Sequence, residues 1–245
     1  MASVRIPRFL PSTSGFPFAN SWPHIPVVEV RLGRLATLSL GDAANGLCGG
    51  MSFTVADLYL AGLRQPGGSQ PGADSAPFKY IVGRQFDSFA GVSVPLRFYS
   101  LMRPDRPERE PFWGQLLGAF GLDQHSRTYV MVQSEWPKVR RLLDAGQPAL
   151  LGLVRVIDVD PRLIGHNHQV MAYGYDLDGT VLTLHIYDPN WPNDDTVTAT
   201  LDVGDPRSAA VPAYSKSDGS LFCFFSAPYV KRDPLPWQPV PAAPH

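Results

Sequence analysis

Residues 168–188 read HQVMAYGYDLDGTVLTLHIYD, and this stretch decides the fold. His168 to Tyr175 and Val181 to Tyr187 are two runs rich in β-branched and aromatic residues. They flank Asp176-Leu177-Asp178-Gly179, whose Asp-Gly pair is a strong hairpin signal. A hairpin closed there sets the start of its first strand beside the end of its second, so His168 and Asp188 become neighbours. A carboxylate beside an imidazole can fix its tautomer and stabilise its charged form.

Outward from the hairpin, the second half of the chain keeps the strand pattern. Ala149 to Val156 is an apolar run, Thr196 to Val203 alternates, and Leu221 to Phe225 follows a turn at Ser217-Asp218-Gly219-Ser220. The first half reads differently. Two short strands, Val27 to Leu32 and Leu35 to Leu40, precede a loop over Gly41 to Gly50. Met51 to Leu63 then has helical spacing. Gln65 to Ala76 is a Gly/Pro/Ser loop. Phe78 to Met102 is near-helical with interruptions at Gly91 and Pro95, and Phe112 to Phe120 and Glu135 to Ala145 read as helices, the last closed by Gly146. Helices first and an antiparallel sheet second predict an α+β fold. The expected organisation is one domain over 1–245: an arm over about 1–26 that orders on docking, a mainly helical lobe over 27–146, a sheet lobe over 147–232 and a Pro-rich tail over 233–245.

Within the loop, Asn45-Gly46-Leu47-Cys48-Gly49-Gly50 places Cys48 directly before a helix. The positive end of the helix dipole favours a thiolate there, and flanking glycines let backbone N–H groups approach a developing oxyanion. An isolated cysteine is more often a small buried hydrophobe. The other one, Cys223 in Leu221-Phe222-Cys223-Phe224-Phe225, reads that way.

Together these segments resemble the papain-like cysteine peptidase superfamily, and within it the branch of peptidases that process bacteriocin leaders. The resemblance is carried by Cys48-Gly49-Gly50 at a helix start, His168 with Val170, Gly174, Tyr175 and Asp176, and Tyr187-Asp188-Pro189. It implies a helical N-terminal lobe holding Cys48 and an antiparallel sheet lobe holding His168 and Asp188. It also implies a Cys48–His168–Asp188 triad for acyl transfer at an amide, with a peptide or protein substrate and no cofactor or metal. The family's oxyanion-hole glutamine corresponds to Asp42, and Asn45 is the nearest substitute donor. A shifted alignment with papain itself sets Met51 at the nucleophile and makes the chain an inactive binding module. Deamidation and transglutamination share the residue order with hydrolysis.

Other readings compete for the same residues. His166, His168, His185 and Asp188 are a candidate metal set, and Asp188, Asn190, Asp194 and Asp195 make an oxygen-rich loop without EF-hand spacing. Trp191 either shields the His–Asp pair from water or is a core aromatic.

The chain has 245 residues, 44% hydrophobic and 18% charged, with net charge -1. That balance lacks the basic footprint of a nucleic-acid binder. It has 25 prolines and 22 glycines, which favours loops over a helical bundle. No apolar run reaches the roughly 18 residues of a membrane-spanning helix. Two cysteines make no disulfide framework, and the N-terminal residues lack an apolar signal region, so the expectation is cytoplasmic residence, with export by a route needing no cleaved signal left open.

Overall fold

The computed structural model describes residues 1–22, 29–32, 36–39, 46–64, 68–111, 125–216, 220–234 and 240–241. The fold mixes helices and an antiparallel sheet, as the change of period predicts. The sheet is ordered β10-β5-β6-β7-β8-β9, from Cys223–Ser226, Ala149–Val154, His168–Asp178, Val181–Tyr187, Thr198–Asp202 and Ala213–Tyr214. Strand β5 is buried along its whole length. The sheet's apolar residues join those of the helices in one continuous core.

The long strand β6 has two partners on one side. Its first half pairs with β5, in the register Leu153 opposite His168. Its second half pairs with β1, Ala2–Arg5, with Arg5 opposite Gly174. A Cβ on Gly174 would stand 2.5 Å from the Val4 carbonyl oxygen, so glycine is what lets β1 lie there. The first residues of the expected arm dock as a strand of the sheet. The Arg5 guanidinium meets the Asp176 carboxylate at 2.9 Å and reinforces that pairing.

The first half is helical. Helix α1 is a short turn, Pro11–Ser14. Strands β2 (Glu29–Leu32) and β3 (Ala36–Ser39) form the expected hairpin. Helix α2 spans Cys48–Leu60, β4 spans Leu63–Arg64 and pairs with β11 (Val240–Pro241), and α3 and α4 span Ala76–Asp87 and Ser93–Met102. Helix α2 begins three residues before the predicted Met51, so Cys48 is its first residue. Pro95 lies in the first turn of α4, where its missing N–H costs nothing, and does not interrupt the helix. The expected interruption at Gly91 is there, with Ala90 and Gly91 both at positive φ. The helix predicted over Glu135 to Ala145 is longer: Arg127–Tyr129 leads into a π-helical turn at Val130–Glu135 and then Trp136–Asp144. The helix expected at Phe112 to Phe120 lies outside the described residues.

Cys-Gly-Gly at the start of α2 is explained first by packing. A Cβ on Gly50 would lie 2.3 Å from the Ile81 carbonyl oxygen of α3, and the Gly50 N–H donates to Gln85 Oε1 at 2.7 Å. A Cβ on Gly49 would lie 1.9 Å from Gln169 Oε1, which Ser88 Oγ–H holds at 2.7 Å. The two glycines bring the helix start against α3 and β6 at once. Gly50→Ala is expected to destabilise the protein by about 1–3 kcal/mol through overpacking, read as a lower midpoint in chemical denaturation.

Candidate active site

His168 opens β6, and the preceding residue fixes it there. Asn167 caps the 3-10 turn Pro161–His166, its Nδ2 donating to the Ile164 carbonyl at 3.1 Å, while its Oδ1 accepts from the Arg155 N–H at 2.9 Å. On the partner strand, Tyr187 lies opposite Met171. Asp188 follows Tyr187 directly and so lies beside the start of β6, where His168 is. The result is the contact predicted from the hairpin: His168 Nε2 lies 2.7 Å from Asp188 Oδ1. Asp188 is fully buried and His168 is 5% exposed.

The first residue of α2 lies at the other side of the ring. With Nε2 on the carboxylate, Nδ1 is the ring nitrogen left to act on Cys48, and thiol and imidazole perturb each other's titration. Cys48 is 9% exposed. The structure thus brings together Cys48, His168 and Asp188 from three separate elements. Met51, the nucleophile position of the shifted alignment, is buried in the core. Asn45 and Asp42 lie outside the described residues.

Electrostatics follow from this geometry. Burial pushes the Cys48 thiol up, but the positive His168 ring, its hydrogen bond and the N–H groups of Gln169 and Gly49 outweigh it, leaving the thiol below its ordinary value. Burial pushes His168 down, and the charges and hydrogen bonds of Asp188 and Cys48 more than reverse that, raising it to about 10. Asp188 is raised by burial, then brought below its ordinary value by His168, by the Tyr214 hydroxyl and by the Asn190 N–H. All three shifts favour the charged forms: carboxylate, imidazolium and thiolate.

Since folding raises His168 above a free imidazole, its charged form stabilises the fold fully below about pH 6.5, and that contribution is lost as pH rises toward 10. Folding lowers Cys48, so its contribution has the opposite sign and is lost as pH falls through the lowered value. Melting the wild type and Cys48→Ala/His168→Ala side by side is expected to show their difference largest near neutrality. It should shrink toward both pH extremes.

No protein-family model, curated protein or solved structure matches the chain. Its chemistry is therefore read from the site alone.

Asp188 is held by Tyr214, which no sequence pattern marks, and by Asn190, which the sequence offers only as a loop oxygen ligand. Tyr214, on the two-residue strand β9, donates its hydroxyl to Asp188 Oδ2, and the Asn190 N–H donates to Oδ1 at 2.9 Å. Trp191 follows them. Its N–H donates to the Asp188 carbonyl at 2.9 Å, and its half-buried ring carries the Lys216 ammonium over its face at 5.2 Å.

Most of the candidate metal ligands already hold other partners. His185 Nε2 pairs with Asp176 at 2.7 Å at the far end of the hairpin, and His166 is exposed in the 3-10 turn, off the strand. Asp194 is bonded by Lys216 and Thr196, and Asp195 by Ser12. Among the described residues no group of three His, Cys, Asp or Glu side chains could hold a metal ion. Cys223 is buried in the core, which pushes its thiol up to about 12 and makes it unreactive. No described helix is long and apolar enough to cross a membrane.

Proposed function

We propose that the chain is a papain-like cysteine enzyme catalysing acyl transfer at an amide, with hydrolysis of a peptide or amide bond as its reaction. One observation supports this most: a buried imidazole with Nε2 2.7 Å from a buried carboxylate, electrostatically coupled to a cysteine that is the first residue of a helix. A purely structural histidine needs neither the thiol nor a helix start aimed at it.

The roles follow from the resting charges. The Cys48 thiolate attacks the carbonyl carbon, a C–S bond forms, and the carbonyl electron pair moves onto oxygen. The Cys48 N–H, in the first turn of α2 and therefore without an intrahelical acceptor, faces that oxyanion. His168 passes its Nδ1 proton to the leaving amine as the C–N bond breaks, leaving a thioester on Cys48. Neutral His168 then takes a proton from water, whose oxygen attacks the thioester and releases the acid, which restores thiolate and imidazolium. Asp188 stays ionised throughout and orients the ring.

A generic acyl donor tests this. With p-nitrophenyl acetate, the wild type is expected to release a burst of nitrophenol and carry an acetyl group on Cys48 by mass spectrometry, with none in Cys48→Ala. Added hydroxylamine or a primary amine separates hydrolase from transferase by the product formed. Absence of the acyl adduct on wild-type Cys48 would make the chain a binding module.

A further inference from the structure

The N-terminal arm reaches the site through one side chain. Asn20 lies between two anchors of that arm. On one side, Ser12 donates its N–H and Oγ–H to the Asp195 carboxylate at 2.8 and 2.6 Å. On the other, Trp22 packs on Phe78 of α3 with ring centroids 5.2 Å apart, and Phe16 and Phe18 stack between the anchors. The Asn20 N–H donates to the carbonyl of Pro189, the residue after Asp188, at 2.9 Å.

The Asn20 amide is used at both ends. Its Oδ1 accepts from the N–H of Leu47, the peptide immediately before Cys48, at 2.6 Å, and from the Trp22 indole N–H at 3.1 Å. Its Nδ2 donates to Asn190 Oδ1 at 3.1 Å. Asn190 in turn donates its N–H to Asp188 Oδ1, the oxygen that faces His168. The bonds run from Leu47 through Asn20, Asn190 and Asp188 to His168, and the ring is completed where the His168 imidazole acts on Cys48, the residue after Leu47. Gly46 makes the closure possible: its φ is +84°, and a Cβ there would stand 2.3 Å from Asn20 Nδ2. Aspartate at position 20 would lose the donor to Asn190. Alanine would lose both ends.

We propose that Asn20 is a positioning residue, which sets the start of the Cys48 helix against the His168–Asp188 pair by holding Leu47 and Asn190 together. This rests on the reading of Cys48, His168 and Asp188 as a nucleophilic site. Asn20 acts through its two partners and not by contact with the reacting atoms. A displacement of about 1 Å between reacting groups is enough to cost up to two orders of magnitude in rate, so a bond that fixes their register matters beyond its own strength.

The test is the alkylation rate of Cys48 by iodoacetamide across pH, followed on the Cys48 peptide by mass spectrometry in the full chain. Wild type, Asn20→Ala, Asn190→Ala, the double variant and His168→Ala are compared, with a thermal melt of each. Asn20→Ala and Asn190→Ala are each expected to lower the rate at pH 6 by about three- to tenfold, the worth of one hydrogen bond, and to move the midpoint of the profile upward. The double variant should be no slower than the slower single one, because both break the same ring. Fast labelling that depends on His168 but keeps its wild-type rate and midpoint in both single variants overturns the inference alone. So does a lower Tm with an unmoved midpoint, the signature of a merely structural contact. Slow labelling of the wild type, unaffected by His168→Ala, overturns the underlying site reading instead. Should Asn20→Ala fail to fold, Asn190→Ala decides by the same outcomes, because it leaves the bonds from Leu47 and Trp22 to Asn20 in place.

Discussion

His168→Ala is expected to lower the alkylation rate of Cys48 at pH 6 by about ten- to a hundredfold. A thiol with an ordinary value near 8.5 is well under 1% ionised at that pH, roughly a three-hundredfold deficit against a full thiolate. Part of that advantage is returned because a thiolate of low pKa is intrinsically a weaker nucleophile. Removing the ring takes away the charge and the hydrogen bond that offset the burial of Cys48, so desolvation alone remains and pushes the thiol up. The variant's rate should climb steeply above pH 8, where the wild type is flat. Mass spectrometry of the Cys48 peptide measures both.

The second large effect is on stability. Arg84→Ala is expected to destabilise the protein by about 3–5 kcal/mol and to lower Tm on the order of 10 °C. Arg84 and Asp57 are both buried, with Nε 2.7 Å from Oδ2. The guanidinium lies over the faces of Phe53 and Tyr229, at 5.1 and 5.4 Å from their centroids, and donates to the Val230 carbonyl at 3.0 Å. Asp57 also accepts from the Tyr229 and Tyr80 hydroxyls and the Arg232 N–H. This cluster ties the segment 229–232 to α2 and α3. Truncating Arg84 would leave a buried carboxylate, already raised by burial, without its cation. Adding Asp57→Leu to Arg84→Met should recover little, because it strands the Tyr80 and Tyr229 hydroxyls and the Arg232 N–H that Asp57 now accepts from. Thermal melts of the single and double variants decide this.

The sheet and the His168–Asp188 contact were legible because they are local. A period of two, an Asp-Gly turn and a twenty-residue span fix both strands without reference to the rest of the chain. The start of α2 was misplaced because Gly49 and Gly50 look like helix breakers, and only the approach of Ile81 and Gln169 shows why glycine is required there. Pro95 misled for the converse reason: a proline in a first turn resembles an interruption. Tyr214 lies on a two-residue strand too short to leave a pattern. Asn20 is separated from Leu47 by 27 residues and from Asn190 by 170, so no window of sequence contains its role. Strand β1 was hidden likewise, since its partner is half of β6 some 170 residues away. Nothing in the pattern distinguishes amide hydrolysis from transfer, because both need the same charges in the same line.

The central claim is that Cys48 rests as a thiolate paired with imidazolium. Thiolate absorbance near 240 nm, recorded against pH as the difference between wild type and Cys48→Ala, tests it most directly. The account predicts a thiolate signal present at neutral pH that titrates away only below the ordinary thiol range. A signal that rises only near pH 9 or above would contradict it.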